Sequence, residues 1–438
     1  MTRALLAGSR RPVPWSAPAA SGPVRGTVRL PGSKSMTARA LVLAALSGGS
    51  STLRAPLRAR DTELMAAGLR ALGPQVSTQD DSRWVVRPRE LRGPAHVDVG
   101  LAGTVMRFLP PVAALADGPV TFDGDPRARA RPVGPLVAAL RAVGARIEPD
   151  SLPLTVYGSG GLDGGEVTID ASSSSQLISG LLLAAPRFRR GIVVRHVGPK
   201  VPSRPHLEMT VDMLRAAGAG VDAATPDVWV VQPGPLAGRA WDIEPDLSGA
   251  APFLAAAVVT AGEVTVPGWP HRTTQAGDRL RTLLERMGAR CTLSPAGLTV
   301  RGTGTVHGVE VDLSDVSELT PVLAALCALA DSPSHLTGVG HIRGHETDRL
   351  SALARELAAL GAEVVEEPDG LTIRPRPLRG TRFHTYDDHR MAHAAAVIGL
   401  VVPGVELTDV ACTSKTLPEF PALWSTLVTG TEEGTAIG

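Results

Sequence analysis

Cysteine is scarce in this sequence: Cys291, Cys327 and Cys412 are the only three in 438 residues, far apart and without C-x-x-C spacing. That excludes a disulfide framework and a structural zinc site, and it fits a reducing compartment. Aromatic residues make up 3%, so stacking platforms for bases or sugars do not dominate the surface. An excess of one charge is also missing. The formal net charge of +1 argues against a general nucleic-acid or membrane-surface binder, so any anion site must come from local clustering. No uninterrupted apolar run approaches the roughly 18 residues of a membrane span, Ala394–Val402 being among the longest. Residues 1–20 hold Arg3, Arg10, Arg11 and several prolines but no continuous apolar stretch before a cleavage site. A ragged N-terminus is expected rather than a signal peptide, and hence a cytoplasmic protein.

What is present is a repeat. The chain is long enough for two or more domains. Five amphipathic helical patterns end at Gly73, Gly144, Gly218, Gly288 and Gly361, each followed by short strands. The glycines recur about every seventy residues, and glycine after a helix supplies the left-handed cap. Alternating with these are six segments apolar nearly all round: Ala38–Leu46, Ala102–Ala116, Ser174–Ala185, Leu247–Ala261, Glu318–Ala330 and Asp388–Val402. Helices apolar on every side must be buried. Cys327, inside one of them, reads as a core residue. The expected fold is a layered or barrel-like α/β arrangement of six βαββαβ-type units, three per lobe.

The starts of the buried helices carry polar or ionisable residues: Lys34-Ser35, Gly103-Thr104, Ser174-Ser175-Gln176, Asp246-Leu247-Ser248, Glu318 and Asp388-His389-Arg390. Helix N-termini gathered at one cleft would create a shared positive potential. In the first, Pro31-Gly32 is a turn, Ser33 or Ser35 can cap, Lys34 adds a mobile charge and Arg39 follows about one turn on. The spacing is not that of a P-loop, so no nucleotide site is expected.

Eight segments in order resemble the 5-enolpyruvylshikimate-3-phosphate synthase (3-phosphoshikimate 1-carboxyvinyltransferase) family, from about Pro23 to about Leu427. They are Pro31–Ser35 with Arg39, Leu101–Arg107, Arg131-Pro132, Ser174–Gln176, Ser203–Pro205, Glu346–Arg349, Asp388–Met391 and Cys412–Thr416. The resemblance implies a two-lobed inside-out α/β barrel. One lobe would comprise 1–31 plus 244–438 and the other 32–243, with linkers near 31–33 and 241–245. It implies transfer of the enolpyruvyl group of phosphoenolpyruvate to the 5-hydroxyl of shikimate 3-phosphate, in aromatic amino-acid biosynthesis. No cofactor, metal, nucleic acid or membrane is implied, and a monomer is expected.

By the same resemblance, Lys34, Ser35, Arg39, Ser174, Ser175, Gln176, Ser203, Glu318 and His345 would hold shikimate 3-phosphate. Lys34, Gly103, Arg131, Gln176, Arg349, Arg390 and Lys415 would hold phosphoenolpyruvate. Glu318 would be the base at the hydroxyl, and Glu346 with Lys34 would handle the methylene proton. Gly103 implies sensitivity to glyphosate. The sequence departs from the common family pattern at Leu101, Phe108, Glu318, His341, His345 and Asp387. A histidine in place of lysine at 345 offers a neutral donor in place of a charge.

Plainer readings apply elsewhere. Arg107 and Arg204 read equally well as structural ion-pair partners. Arg127 and Arg129 read as a solvated basic loop, and His389 as a helix-start hydrogen bonder. The pairs His341/His345 and His389/His393 have H-x-x-x-H spacing but lack the glutamate of a zinc motif. The sister transferase acting on UDP-N-acetylglucosamine is the alternative function. It carries an Asn after its lysine and a loop cysteine, where this chain has Ser35 and a cysteine-free Thr121–Pro132. A catalytically silent paralogue is countered by Lys34, Arg131, Glu318, Glu346, Arg390 and Lys415, and an RNA-end-processing enzyme by the near-neutral charge.

Overall fold

The computed structural model describes residues 14–430, so Arg3, Arg10 and Arg11 of the ragged N-terminus lie outside the described residues. Six helices, Lys34–Leu46, Gly103–Ala113, Gln176–Ala184, Ala251–Val259, Thr320–Ala328 and His389–Gly399, are buried along most of their length. They match the six apolar segments. In each half of the molecule three of them pack against one another, with the sheets outside. Helices inside and sheets outside make the two-lobed inside-out barrel. Burying each leucine or valine fully stabilises the fold by about 1.5–3 kcal/mol, and the alanines let the helix backbones approach closely.

Among the described residues five sheets have four strands and one has three. Regular units run strand–helix–strand–helix–strand–strand, as in Ala95–Asp98, Gly103–Ala113, Asp117–Asp123, Gly134–Ala142, Arg146–Glu148 and Leu154–Ser159. This corrects the expected βαββαβ order. The missed element is the strand that leads into each buried helix. Four of the six pair parallel with the strand after that helix, while Arg25–Thr27 and Ala240–Asp242 exchange partners and pair parallel with Glu263–Thr265 and Thr52–Arg54. These leading strands are only two to five residues long, too short for a period-two apolar alternation to register. The amphipathic helices end as expected, with Gly73, Gly144, Gly218, Gly288 and Gly361 at φ of +124°, +100°, +91°, +97° and +115°.

The buried apolar residues form two clusters. One spans Ala38 to Ile243; the other joins Ala17, Val24 and Val28 to Leu247–Leu427. The N-terminal segment thus feeds the C-terminal core: Trp15–Ser16 pairs with Glu406–Leu407 and Arg25–Thr27 with Glu263–Thr265. In exchange, Ala240–Asp242 returns to pair with Thr52–Arg54.

Where the chain crosses between the clusters, its two passes hold each other. Ser33 N–H donates to Glu244 O at 2.7 Å and Asp246 N–H to Pro31 O at 2.9 Å. Gly32 is required here, since a Cβ would lie 2.1 Å from the carbonyl oxygen of Ala55. No helix among the described residues is long and apolar enough to cross a membrane.

Candidate active site

Lys34–Leu46 begins at Ser33, whose hydroxyl accepts from Met36 N–H at 3.4 Å. Of the two serines considered as caps, Ser33 therefore does the capping, which leaves Ser35 free to face the cavity between the lobes. Asp246, from the returning crossing, accepts from Lys34 N–H at 3.2 Å and Gly249 N–H at 2.8 Å. The Lys34 ammonium lies 3.6 Å from the buried Asp61 carboxylate. Residues from the other helix starts join the wall: Ser174 and Gln176, Asp246 and Ser248, Glu318, His389 and Arg390. Arg107, Arg131, His345, Glu346 and Arg349 complete most of it.

Arg349 is the most heavily engaged cation of the cavity wall. Its Nε and Nη2 donate to Asp388 at 2.7 and 3.1 Å, Nη2 also to Glu346 at 2.9 Å, and Nη1 to His345 Nδ1 at 2.9 Å. Asp388 also caps its own helix, accepting from Arg390 N–H at 2.9 Å. Burial alone would lower Arg349, but Asp388 and Glu346 hold it above the ordinary arginine value. Its neighbours are less compensated. Burial, then the charge of Arg131, pushes Arg107 well below its ordinary value, and burial lowers Arg390 despite the pull of Glu318. Buried cations without enough carboxylates are a seat for anions.

Two carboxylates sit among them in different states. Burial would raise Glu346, yet Lys415, Arg349 and Arg131 hold it well below the carboxylate range, and both its oxygens are bonded, one to Lys415 and one to Arg349. Glu318 is likewise pushed up by burial but drawn down overall by His206, Arg390, Lys34 and Arg349. Its Oε2 is buried with no hydrogen-bond partner, and Oε1 stands 3.9 Å from His206 Nε2. Both carboxylates are ionised at neutral pH, and Glu318 alone has a free oxygen.

The histidines are neutral. Burial, followed by the charge of Arg349, holds His345 well below the usual imidazole value. Because Arg349 can only donate, His345 Nδ1 accepts and the ring proton sits on Nε2. Burial also lowers His206 and His341. His389 is corrected: Asp388 is the helix cap, and both ring nitrogens of His389 and of His393 are buried without hydrogen-bond partners. Among the described residues no group of three or more His, Cys, Asp or Glu side chains is arranged to hold a metal ion.

Of the residues singled out from sequence, Lys34, Ser35, Arg131, Ser174, Gln176, Glu318, His345, Glu346, Arg349 and Arg390 line the cavity together. Gly103 is buried behind three of the lining residues, where a Cβ would come within 2.9–3.0 Å of Arg107 Nη1, Gln176 Oε1 and Arg131 Nη2. Lys415 is buried behind Glu346. Ser175 is buried at the start of Gln176–Ala184, and Ser203 N–H donates to Ser314 O across the lobes at 2.8 Å. Arg39 is set apart. Its guanidinium makes four hydrogen bonds, to Thr210, Ser35 O, Ser179 and His206 O, and these tie helices together behind the cavity wall.

The glutamate–lysine pairing also differs from expectation, because the lysine on Glu346 is Lys415 while Lys34 turns to Asp61. Arg107 belongs to the site, donating to Gln176 Oε1 at 3.0 Å. Arg127 is no merely solvated residue: it lies 3.0 Å from Asp387 of the other lobe, while Arg129 pairs locally with Asp123. Arg204 pairs with Asp227 at 3.3 Å, the structural option. His206, Met209 and Gln275 line the cavity unforeseen. The one signal for His206 was its place directly after the Ser203–Pro205 segment.

A cleft between two triple-repeat lobes, lined by buried cations with two ionised glutamates, defines an enzyme that handles small polyanionic substrates. The family model described as EPSP synthase (3-phosphoshikimate 1-carboxyvinyltransferase) matches residues 18–424, and the chain belongs to that family. It is a transferase of the shikimate route to aromatic compounds, moving the carboxyvinyl group of phosphoenolpyruvate to shikimate 3-phosphate. Solved structures share the fold. An EPSP synthase structure from Acinetobacter baumannii at 2.37 Å aligns with a TM-score of 0.78 at 22% identity, over 94% of this chain and 97% of that one. A second EPSP synthase structure from that organism gives 0.76 at 21% identity over 94% and 97%. The enolpyruvyl transferase NikO from Streptomyces tendae gives 0.71 at 19% over 93% and 96%.

Proposed function

We propose that the transfer is run by Glu318 as base and by the Glu346–Lys415 pair as acid, in a cleft that closes about the crossings near 31–33 and 241–245. The observation that carries this reading is the buried, unpartnered Oε2 of Glu318. The Glu318 side chain lines the cavity, and a carboxylate not tied up by a donor is ready to take the proton of the 5-hydroxyl as its oxygen attacks C2 of phosphoenolpyruvate. The methylene carbon takes a proton from the Lys415–Glu346 pair, giving a tetrahedral adduct. Return of that proton to the pair and rupture of the C2–O bond, with phosphate leaving with the proton that Glu318 had taken from the hydroxyl, then give the enol ether product and restore both groups.

Shikimate 3-phosphate is held by Lys34, Ser35, Ser174, Ser175, Gln176 and Ser203, with His345 presenting its Nε2–H. Phosphoenolpyruvate is held by Arg131, Arg349, Arg390 and Lys415, with Arg107 beside them and Gly103 behind. Bidentate guanidinium geometry suits both its carboxylate and its phosphate. Closure would exclude water and so protect phosphoenolpyruvate from hydrolysis. Lobes of 1–31 plus 244–438 and of 32–243, a monomer, and a cytoplasmic location complete the reading. The separate apolar clusters and the paired crossings support those lobe boundaries.

The test is phosphate release from phosphoenolpyruvate plus shikimate 3-phosphate in chelator-containing buffer, with UDP-N-acetylglucosamine as the parallel acceptor. Release with shikimate 3-phosphate alone is expected. A His345→Ala variant should raise the KM for shikimate 3-phosphate; an unchanged KM would remove His345 from that site.

A further inference from the structure

The helix Arg349–Leu360 touches the loop 384–388 at its start and again two turns on, where Arg355 Nη1 also donates to the Tyr386 hydroxyl at 3.3 Å. At its start Arg349 is clamped by Asp388 through two hydrogen bonds of 2.7 and 3.1 Å. Two turns on and on the same face, Glu356 is 2% exposed and makes two more contacts. Its Oε2 accepts from His384 N–H at 2.9 Å, and its Oε1 accepts from the Tyr386 hydroxyl at 2.5 Å.

Between those contacts the loop holds an uncommon backbone. Tyr386 and Asp387 are consecutive non-glycine residues in the left-handed region, with φ of +54° and +53°. Such residues persist only when the surroundings over-determine them. The turn they make has consequences on both sides. It sets Asp388 to cap the helix of Arg390 and to clamp Arg349. It also turns the Asp387 carboxylate and the Tyr386 carbonyl toward Arg127 of the other lobe, at 3.0 and 3.5 Å.

We propose that Glu356 is a positioning residue for phosphoenolpyruvate. By fixing His384 and Tyr386 it holds the left-handed turn that aims Arg349 and Arg390 into the cleft and presents Asp387 to Arg127 across it. Glu356 is absent from the cavity wall, so it acts only through the loop. The inference rests on the assignment of Arg349 and Arg390 to phosphoenolpyruvate.

The test compares steady-state kinetics of Glu356→Leu, Glu356→Gln and Tyr386→Phe with the parent enzyme, alongside calorimetric binding of shikimate 3-phosphate. Glu356→Leu removes both acceptors and should raise the KM for phosphoenolpyruvate about ten-fold or more, with kcat falling less and shikimate 3-phosphate affinity within about two-fold. Glu356→Gln keeps one acceptor and should recover most of the loss. Tyr386→Phe removes one hydroxyl, is mild enough to fold if Glu356→Leu is not, and should raise the same KM about three-fold. Equal loss for both substrates, or a KM for phosphoenolpyruvate unmoved in Glu356→Leu and Tyr386→Phe, would overturn the role. An Arg390→Ala enzyme with an unchanged KM for phosphoenolpyruvate would instead overturn the assignment beneath it, and the role with it.

Discussion

The Lys415 ammonium donates to the backbone carbonyl of Leu101, in the opposite lobe, at 3.2 Å, and Arg131 donates to the same oxygen at 3.1 Å. The main chain makes this bridge, so the side chain at 101 is free to differ from the asparagine common in the family. Leu101→Asn should therefore change kcat/KM by less than about three-fold. Lys415→Met should cost far more, about a hundred-fold or greater in kcat/KM, since it removes the bridge and leaves Glu346 with Arg349 alone. Comparable losses in the two variants would contradict the geometry.

Gly103→Ala should fold normally. The atoms its Cβ would meet, at 2.9–3.0 Å, are the ends of the flexible side chains of Arg107, Gln176 and Arg131. In the proposed assignment those ends grip the anion, so the strain should fall on ligand binding. The KM for phosphoenolpyruvate should rise about ten-fold, and inhibition by glyphosate, expected to be strong in the parent, should weaken by more. Thermal melts together with inhibition titrations check both halves, and a destabilised but fully sensitive variant would refute the argument.

Much of this was legible because it is periodic. Glycines after amphipathic helices and uniformly apolar helices are local signals that tertiary packing reinforces. The leading strands escaped notice because they are short, and two of them, Arg25–Thr27 and Ala240–Asp242, are supplied from across the crossing between the clusters. Site residues at helix starts were readable for the same local reason. His206, Gln275 and the Arg127–Asp387 contact depend on which distant segments meet, and spacing along the chain carries no record of that. Arg39 is a further case: its bonds to Thr210, Ser179 and the carbonyls of Ser35 and His206 join segments that its place one turn beyond Lys34 does not reveal.

The two glutamates should separate kinetically. Glu318→Gln keeps size and polarity but cannot take a proton, so kcat should fall about a thousand-fold with both KM values within a few-fold. Glu346→Gln breaks ionic contacts of Arg349 and Lys415, so the KM for phosphoenolpyruvate should rise along with the loss of kcat. Because surrounding cations lower Glu318 overall, the base should stay ionised well into acid. The acid limb in kcat/KM, which reports the free enzyme, should accordingly fall below the ordinary carboxylate value of about 4.5. A limb at or above that value would take the role of base away from Glu318.

Stability should carry a histidine signature of its own. Burial pushes His393 from 6.5 down to about 3, and its ring packs 4.6 Å from that of Phe420. An imidazole whose pKa is depressed in the folded state binds its proton only on unfolding. Its contribution is therefore fully present above about pH 6.5 and lost as pH falls toward 3, as the unfolded chain takes up the proton first. Each such group steepens the fall by up to about 1.4 kcal/mol per pH unit inside that window. A His393→Met variant, with a flexible apolar side chain against Phe420, should melt closer to, or above, the parent at pH 5 than it does at pH 7.5. Melting curves across that range decide it: a melting difference between variant and parent that does not change with pH would mean that His393 is protonated alike in the folded and unfolded states.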